Sequence, residues 1–418
     1  MSAFPSETAQ NMGFDPERMA HIGSFFHSYL DKGRLPNIGI TVMRHGHIVY
    51  DHWAGHSAFD GGFTPDPHSL FRIYSMTKPI TSVGLMMLYE KGKFQLYDPV
   101  SKFIPAFKGL KVFDTGTARE YTTRDAEREV TIHDLLTHQS GLTYDFMMET
   151  PVDALYRNAK INGARSEKYN LEEFCDQVCE LPLLFSPGTR WNYSISTDVC
   201  GRLIELISGK SLDQYFYDDI LLPLGMNDTC FTLAEDQMDR LVNNYSRDPL
   251  SGKITLADSP EKTVYRQGRR FMSGGGGLVS TMHDYLRFCQ FLHQGGILDG
   301  VRLLSPSTIA FMTSNHLPDN ETLATRASGS FSEVSYQGIG FGLGFSVVAD
   351  AAMTPTVSYH GNYSWGGLAS TFFWNDPING ISVVFFTQMM PSGTYPIRPQ
   401  LQQLVYAALV EPSGPITG

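Results

Sequence analysis

Strand-forming sequence in this chain gathers at its two ends, and that constrains the fold more than any other feature. Near the start, Ile38-Gly39-Ile40-Thr41-Val42-Met43-Arg44 is rich in β-branched residues, and His45-Gly46 suits a two-residue turn. His47-Ile48-Val49-Tyr50-Asp51-His52-Trp53 then reads as the returning strand. After about residue 340, Phe341–Val348, Ser370–Trp374 and Ile381–Thr387 alternate or run apolar, and Gln400–Val410 reads as a closing helix. The stretch from about 130 to 315 is mostly helical in pattern, with helices expected at 131–138, 171–180, 196–208, 212–220 and 282–294, separated by loops such as Ser186-Pro187-Gly188. A lone hairpin is marginal in water, so the two ends are expected to share one sheet. The fold class that follows is α/β (α+β): an antiparallel sheet built from both chain termini and flanked by helices, with a mostly helical domain inserted. Residues 1–95 and 340–418 would form the discontinuous α/β domain and 96–339 the insertion.

Composition narrows the function. At 418 residues, 42% hydrophobic and 18% charged, the chain can bury a large core, which excludes a disordered protein. A formal net charge of −11, with no basic stripe carrying interleaved aromatics, argues against nucleic acid. No apolar run approaches the ~18 residues of a membrane helix, and MSAFPSETAQNMGFDPERM has no basic-then-apolar leader, so a cytoplasmic protein without a membrane partner is expected. Five cysteines suit core thiols better than disulfides, and Cys175 and Cys179 lack a second pair at zinc spacing. His45, His47, His52 and His56 crowd the hairpin, but Asp51 is not at H-x-H-x-D spacing, so no metal and no other cofactor is expected.

Chemistry-bearing residues gather in three places. In Ser75-Met76-Thr77-Lys78 an i, i+3 spacing puts hydroxyl and amine on one helical face. The bare string equally suits a helix-capping serine, and it occurs twice, the other copy being Ser259-Pro260-Glu261-Lys262 in a polar stretch. Ser75 differs because the apolar run from Ile80 to Tyr89 follows at once; it would bury Lys78, and desolvation favours the neutral amine of a base. Second, a Pro-Gly turn in Phe185-Ser186-Pro187-Gly188-Thr189-Arg190-Trp191-Asn192-Tyr193-Ser194 delivers Tyr193 to the start of a helix. Third, His360-Gly361-Asn362-Tyr363-Ser364-Trp365-Gly366-Gly367-Leu368 precedes a strand, and its paired glycines let backbone approach a ligand closely. No G-x-S-x-G elbow is present.

In this order, with LLTHQSGL at 135–142 and SGGGGLVST at 273–281 between them, the motifs resemble the serine β-lactamase and penicillin-binding (transpeptidase) superfamily. Within it they look most similar to the β-lactamase-like carboxylesterases called family VIII. The resemblance spans about Gly39 to Val410. It implies Ser75 as the acyl-forming nucleophile, Lys78 and Tyr193 as the proton-transfer pair, backbone amides of Ser75 and Leu368 as the oxyanion hole, and an active site between the two domains. Whether Lys78 or Tyr193 takes the proton stays open, since coupled groups titrate as a pair. Two departures bear on substrate. Ile195 stands where β-lactamases of the superfamily typically have the asparagine of Y-x-N, and Trp365-Gly366-Gly367 replaces K-T-G. Losing an amide and a cation favours a small neutral ester over an anionic β-lactam or peptide. Trp365, Gly366, Gly367, His360, Ile195 and Tyr144 are the expected pocket residues, with Phe146, Met147 and Met148 as a candidate acyl wall. An acyltransferase acting on an alcohol, a β-lactamase or D-amino-acid peptidase, and a non-catalytic binding protein on the same scaffold are the rival readings.

Overall fold

A computed structural model describes residues 4–163, 169–329 and 335–415. The hairpin forms as its sequence suggests. Strands β1 (Asn37–Arg44) and β2 (His47–Gly55) are joined at His45 (φ 49°) and Gly46 (φ 84°), two left-handed residues of the kind a tight hairpin turn requires. Five strands from the other end of the chain join them: β3 (Ile339–Phe341), β4 (Ser346–Val348), β5 (Tyr363–Gly366), β6 (Phe372–Asp376) and β7 (Ile381–Phe386). The sheet is antiparallel throughout, in the order β3-β4-β5-β6-β7-β1-β2. β1 pairs with β7 from Gly39↔Phe386 to Arg44↔Ile381, so the ends of the chain meet inside the sheet.

Both faces are covered. Ile381, Val383 and Phe385 of β7 pack with Phe26 of α1 (Pro16–Asp31) and Leu401 of α7 (Ile397–Ala408). Val384 and Phe386 point the other way, into a second core that includes Ile80 of α2 (Thr77–Glu90) and Tyr285 and Phe288 of α6 (Met282–His293). A strand buried on both sides gains nothing from polar alternation, which is why Ile381–Phe386 reads as an almost unbroken apolar run. Helix α1 is held at its start by Asp15, whose carboxylate accepts from the Glu17 and Arg18 amides, with Pro16 at the first helical position.

Between the two ends lie α3 (Ile132–Leu136), α4 (Leu171–Cys179) and α5 (Ser196–Ser208), all within the helices expected from the sequence, and a helix at Leu212–Phe216. The α3 start is a capping box, Thr131 and Asp134 exchanging bonds with each other's backbone. Other expectations need correction. Phe341–Val348 is not one strand but a hairpin, broken where Gly344 adopts φ 92° and the Gly342 amide bonds to the Phe345 carbonyl. Ser370 (φ 67°) belongs to the turn before β6. Tyr363–Gly366, part of the motif expected only to precede a strand, is itself a strand between β4 and β6. The central region also carries hairpins at Lys111–Gly116/Tyr121–Asp125, mostly exposed, and Asn244–Arg247/Ile254–Asp258, whose first strand buries Asn244 and Tyr245; neither shows a regular apolar alternation in the sequence. The five cysteines are free thiols. Among the described residues, no helix is long and apolar enough to cross a membrane.

Candidate active site

Ser75 lies in a single 3-10 turn, Tyr74–Met76, that runs directly into α2. It is not the helix cap: that position is Met76, which contributes no side-chain bond. The residue before it, Tyr74, has φ 42°, a costly conformation for a residue with a Cβ and one that clusters at functional sites. Lys78 falls in the first turn of α2, where Pro79 is tolerated because amides there have no helical partner. Every residue of α2 from Thr77 to Leu88 is buried, so Lys78, 1% exposed, brings its amine into a closed interior.

The amine is met by acceptors. Lys78 Nζ lies 3.3 Å from Ser75 Oγ, 3.0 Å from Tyr144 OH and 2.6 Å from the Gly275 carbonyl oxygen. Tyr193 OH donates to Ser75 Oγ at 2.6 Å, and Lys78 Nζ also sits 4.5 Å from the centre of the Tyr193 ring. The segment carrying Tyr193 is pinned by backbone bonds to the LLTHQSGL stretch and the residue after it: Asn192 N to His138 O at 2.9 Å, Gly188 N to Gln139 O at 2.8 Å and Ile195 N to Thr143 O at 3.3 Å. The Tyr193 ring is then caged by His138, Tyr144 and Trp365, with ring centres 5.1–5.5 Å away. His138 is fully buried and lies 3.1 Å from Ser194 Oγ; burial, reinforced by Lys78, holds its imidazole well below the usual histidine range. It is a neutral wall of the cage.

Strand β5 ends against the Ser75 turn. Gly367 faces the Ile73 carbonyl and the Thr371 hydroxyl so closely that a Cβ would overlap both, and its amide bonds to the Thr371 carbonyl at 2.8 Å. Glycine is required there by close approach, not by a left-handed φ. Leu368 follows in the turn, part-exposed.

The structure thus brings Ser75, Lys78, Tyr193, Tyr144, Trp365, Gly366 and Gly367 to one locality and leaves two expected pocket residues out of it. Ile195 is fully buried in the core at the N-cap of α5. His360 is exposed, its Nδ1 3.1 Å from the Ala349 carbonyl, on the turn that enters β5 from the end away from Ser75. It is not a site residue, because the strand carries the chain away before reaching Ser75. The second S-x-x-K also separates cleanly: Ser259 Oγ donates to Glu261 at 2.6 Å, a local turn contact. What sequence reasoning missed is the Gly275 carbonyl and the residues that aim it, although the run Ser273-Gly274-Gly275-Gly276-Gly277 was a visible sign of close packing.

Comparison with known proteins now decides the family: a family model described as Beta-lactamase matches residues 22–407. The chain belongs to the beta-lactamase family. An uncharacterized protein of Mycobacterium tuberculosis is 31% identical over 365 residues, covering 86% of this chain and 88% of that one. Esterase EstB of Burkholderia gladioli is 29% identical over 408 residues, covering 93% and 95%. The solved structure of EstCE1, described as a hydrolase with promiscuous acyltransferase activity, has a TM-score of 0.78 at 25% identity and covers 95% of this chain and 99% of its own. The seven-stranded sheet with its helical section is accordingly the beta-lactamase/transpeptidase-like fold in its family VIII esterase-like form, and this beta-lactamase family member is a serine hydrolase.

Proposed function

We propose that the protein is a carboxylesterase that hydrolyses short-chain neutral esters through an acyl-enzyme on Ser75. The observation that carries the reading is Ser75 Oγ held between Tyr193 OH at 2.6 Å and Lys78 Nζ at 3.3 Å, a hydroxyl with both a proton acceptor and a charge partner in reach. Ser75 Oγ attacks the ester carbonyl as its proton passes to the Lys78–Tyr193 pair. The tetrahedral oxyanion is met by the backbone amides of Ser75 and Leu368, and the pair returns the proton to the departing alcohol. Water then repeats the sequence in reverse, releasing the acid and regenerating Ser75. The strand end at Gly366-Gly367, packed on Ile73, supports this use of the Leu368 amide.

Substrate preference follows from the walls. Trp365, buried against Phe341 and Tyr193 at 5.4 and 5.5 Å between ring centres, puts an apolar residue where an anionic substrate would need a cation. Transfer of the acyl group to an alcohol is the second reading, since the acyl-enzyme is common to both and EstCE1 carries both descriptions. The test is hydrolysis of p-nitrophenyl acetate and butyrate, with a chromogenic cephalosporin and an added alcohol as competing arms. Ser75→Ala is expected to abolish turnover and leave the fold intact; unchanged turnover in that variant would sink the proposal.

A further inference from the structure

The glycine run at 273–277 has a structural purpose that leads to one more residue. Gly274 and Gly275 are wedged between α2 and α5: a Cβ on Gly274 would stand 2.7 Å from the Thr197 carbonyl, and one on Gly275 2.7 Å from Asp198 Oδ2. Asp198, in the first turn of α5 and fully buried, accepts with one oxygen from Ser273 Oγ at 2.5 Å and from the Gly275 amide at 3.0 Å. Gly275 in turn presents its carbonyl oxygen to Lys78 Nζ at 2.6 Å, and Thr81 Oγ1 fixes the neighbouring Gly274 carbonyl at 2.7 Å. A buried carboxylate therefore grips the start and the middle of the tight turn whose carbonyl holds the lysine. It is not one of the groups around Ser75, and the esterase reading assigns it nothing.

We infer that Asp198 is a positioning residue for Lys78, aiming the Gly275 carbonyl at the amine and supplying the buried negative charge that favours its protonated form. The inference rests on the reading of Lys78 and Tyr193 as the proton-transfer pair. Burial raises the proton affinity of Asp198, while Ser273, Lys78, the Gly275 amide and Arg269 oppose that rise. The other groups facing the two charges do not titrate in the working range. His138, beside Lys78, is held neutral by burial, and Cys175 from α4 and Cys200 from α5, beside Asp198, are pushed well above the usual thiol range. Tyr144 and Tyr193 complete the surroundings of the amine.

The sign follows directly. Asp198 favours an extra proton on the Lys78–Tyr193 pair, so neutralising it makes the first proton easier to lose, whichever of the two groups carries it. In Asp198→Asn, which keeps the size and an acceptor for the Gly275 amide, the rising limb of the kcat/KM–pH profile moves to lower pH. The two charges are at most about 9 Å apart, two hydrogen bonds and one glycine, so with an effective dielectric constant of about 20 the shift is on the order of one pH unit. The assay is hydrolysis of p-nitrophenyl butyrate across pH, with thermal melting as a check on folding. A fall in rate with the limb unmoved, or a limb moved upward, overturns the inference. Should Asp198→Asn not fold, Asp198→Ser carries the test, because it removes the same charge and keeps a hydroxyl that can accept from the Gly275 amide: a downward shift is again expected, and an unmoved limb overturns the idea. Mass spectrometry of protein quenched during turnover separates this from failure of the esterase reading, which would show as no acyl adduct on Ser75 in the parent enzyme.

Discussion

Tyr193→Phe isolates proton transfer from packing better than any other single change at this site. The substitution removes one oxygen, the donor to Ser75 at 2.6 Å, and leaves the ring. The ring's contacts with His138 at 5.1 Å, Tyr144 at 5.2 Å and Trp365 at 5.5 Å persist, as does the Lys78 amine 4.5 Å above its centre. The stability cost should therefore stay near one hydrogen bond, about 1 kcal/mol. The catalytic cost is of another size. Loss of a positioned acid–base group lowers the rate by about 100- to 10,000-fold, or about 2.7–5.4 kcal/mol of transition-state stabilisation. If Lys78 took the serine proton unaided, its 3.3 Å approach to Ser75 would survive and the rate would fall little. The assay is kcat/KM for p-nitrophenyl butyrate beside a thermal melt of the same sample. A variant that melts within a few degrees of the parent and retains more than a tenth of its kcat/KM would refute a proton-transfer role for Tyr193.

Three further outcomes are expected. Gly367→Ala forces a methyl against the Ile73 carbonyl and Thr371 hydroxyl, so it should cost about 1–3 kcal/mol by denaturant unfolding and lower kcat more than tenfold; parent-like values in both would contradict the close approach. Ser259→Ala, in the second S-x-x-K, should leave kcat/KM unchanged, because its hydroxyl serves only a turn contact to Glu261. His133 is buried beside His316, 3.3 Å away, and desolvation first, then that neighbour, lowers its pKa to about 4. The unfolded chain takes up this proton below about pH 6.5, so stability falls as pH drops from there toward 4, by up to about 3 kcal/mol from this group. His133→Gln should flatten that part of the stability–pH curve between pH 7 and 4.5, and an unchanged slope would be the disproof.

How far the sequence discloses this molecule depends on what each residue is paired with. The β1–β2 hairpin was legible because its turn is local: His45 and Gly46 satisfy the backbone demand themselves. Ser75, Lys78 and Tyr193 were singled out by the order of the motifs, which resembles a known family, since the S-x-x-K spacing occurs twice and does not distinguish Ser75 by itself. Strand β5 was not, since Tyr363–Gly366 becomes a strand only through pairing with β4 and β6, and the glycines at its end are demanded chiefly by Arg398 and Ile73, residues remote in the chain. His360 and Ile195 were misjudged for the same reason. Adjacency in sequence to a motif says little about direction along a strand or about which side of a helix start is buried.

The loss of polar substrate groups reads differently once burial is known. Replacing an amide by Ile195 does not present an alkyl wall to substrate, because that side chain is fully buried at the start of α5. What the replacement changes is the core at the start of α5, two residues after Tyr193: an apolar residue in a cluster that also holds Val199 and Leu203. Trp365 is buried as well, but it packs directly against the Tyr193 ring, 5.5 Å between centres, from the strand that ends at the Ser75 turn. Under the esterase proposal, the tryptophan is the departure expected to affect discrimination between neutral and anionic substrates, and the isoleucine the one expected to affect how rigidly Tyr193 is held. The two effects separate kinetically: changes at 365 act on the ratio of kcat/KM between neutral and carboxylate-bearing esters, whereas changes at 195 lower both together.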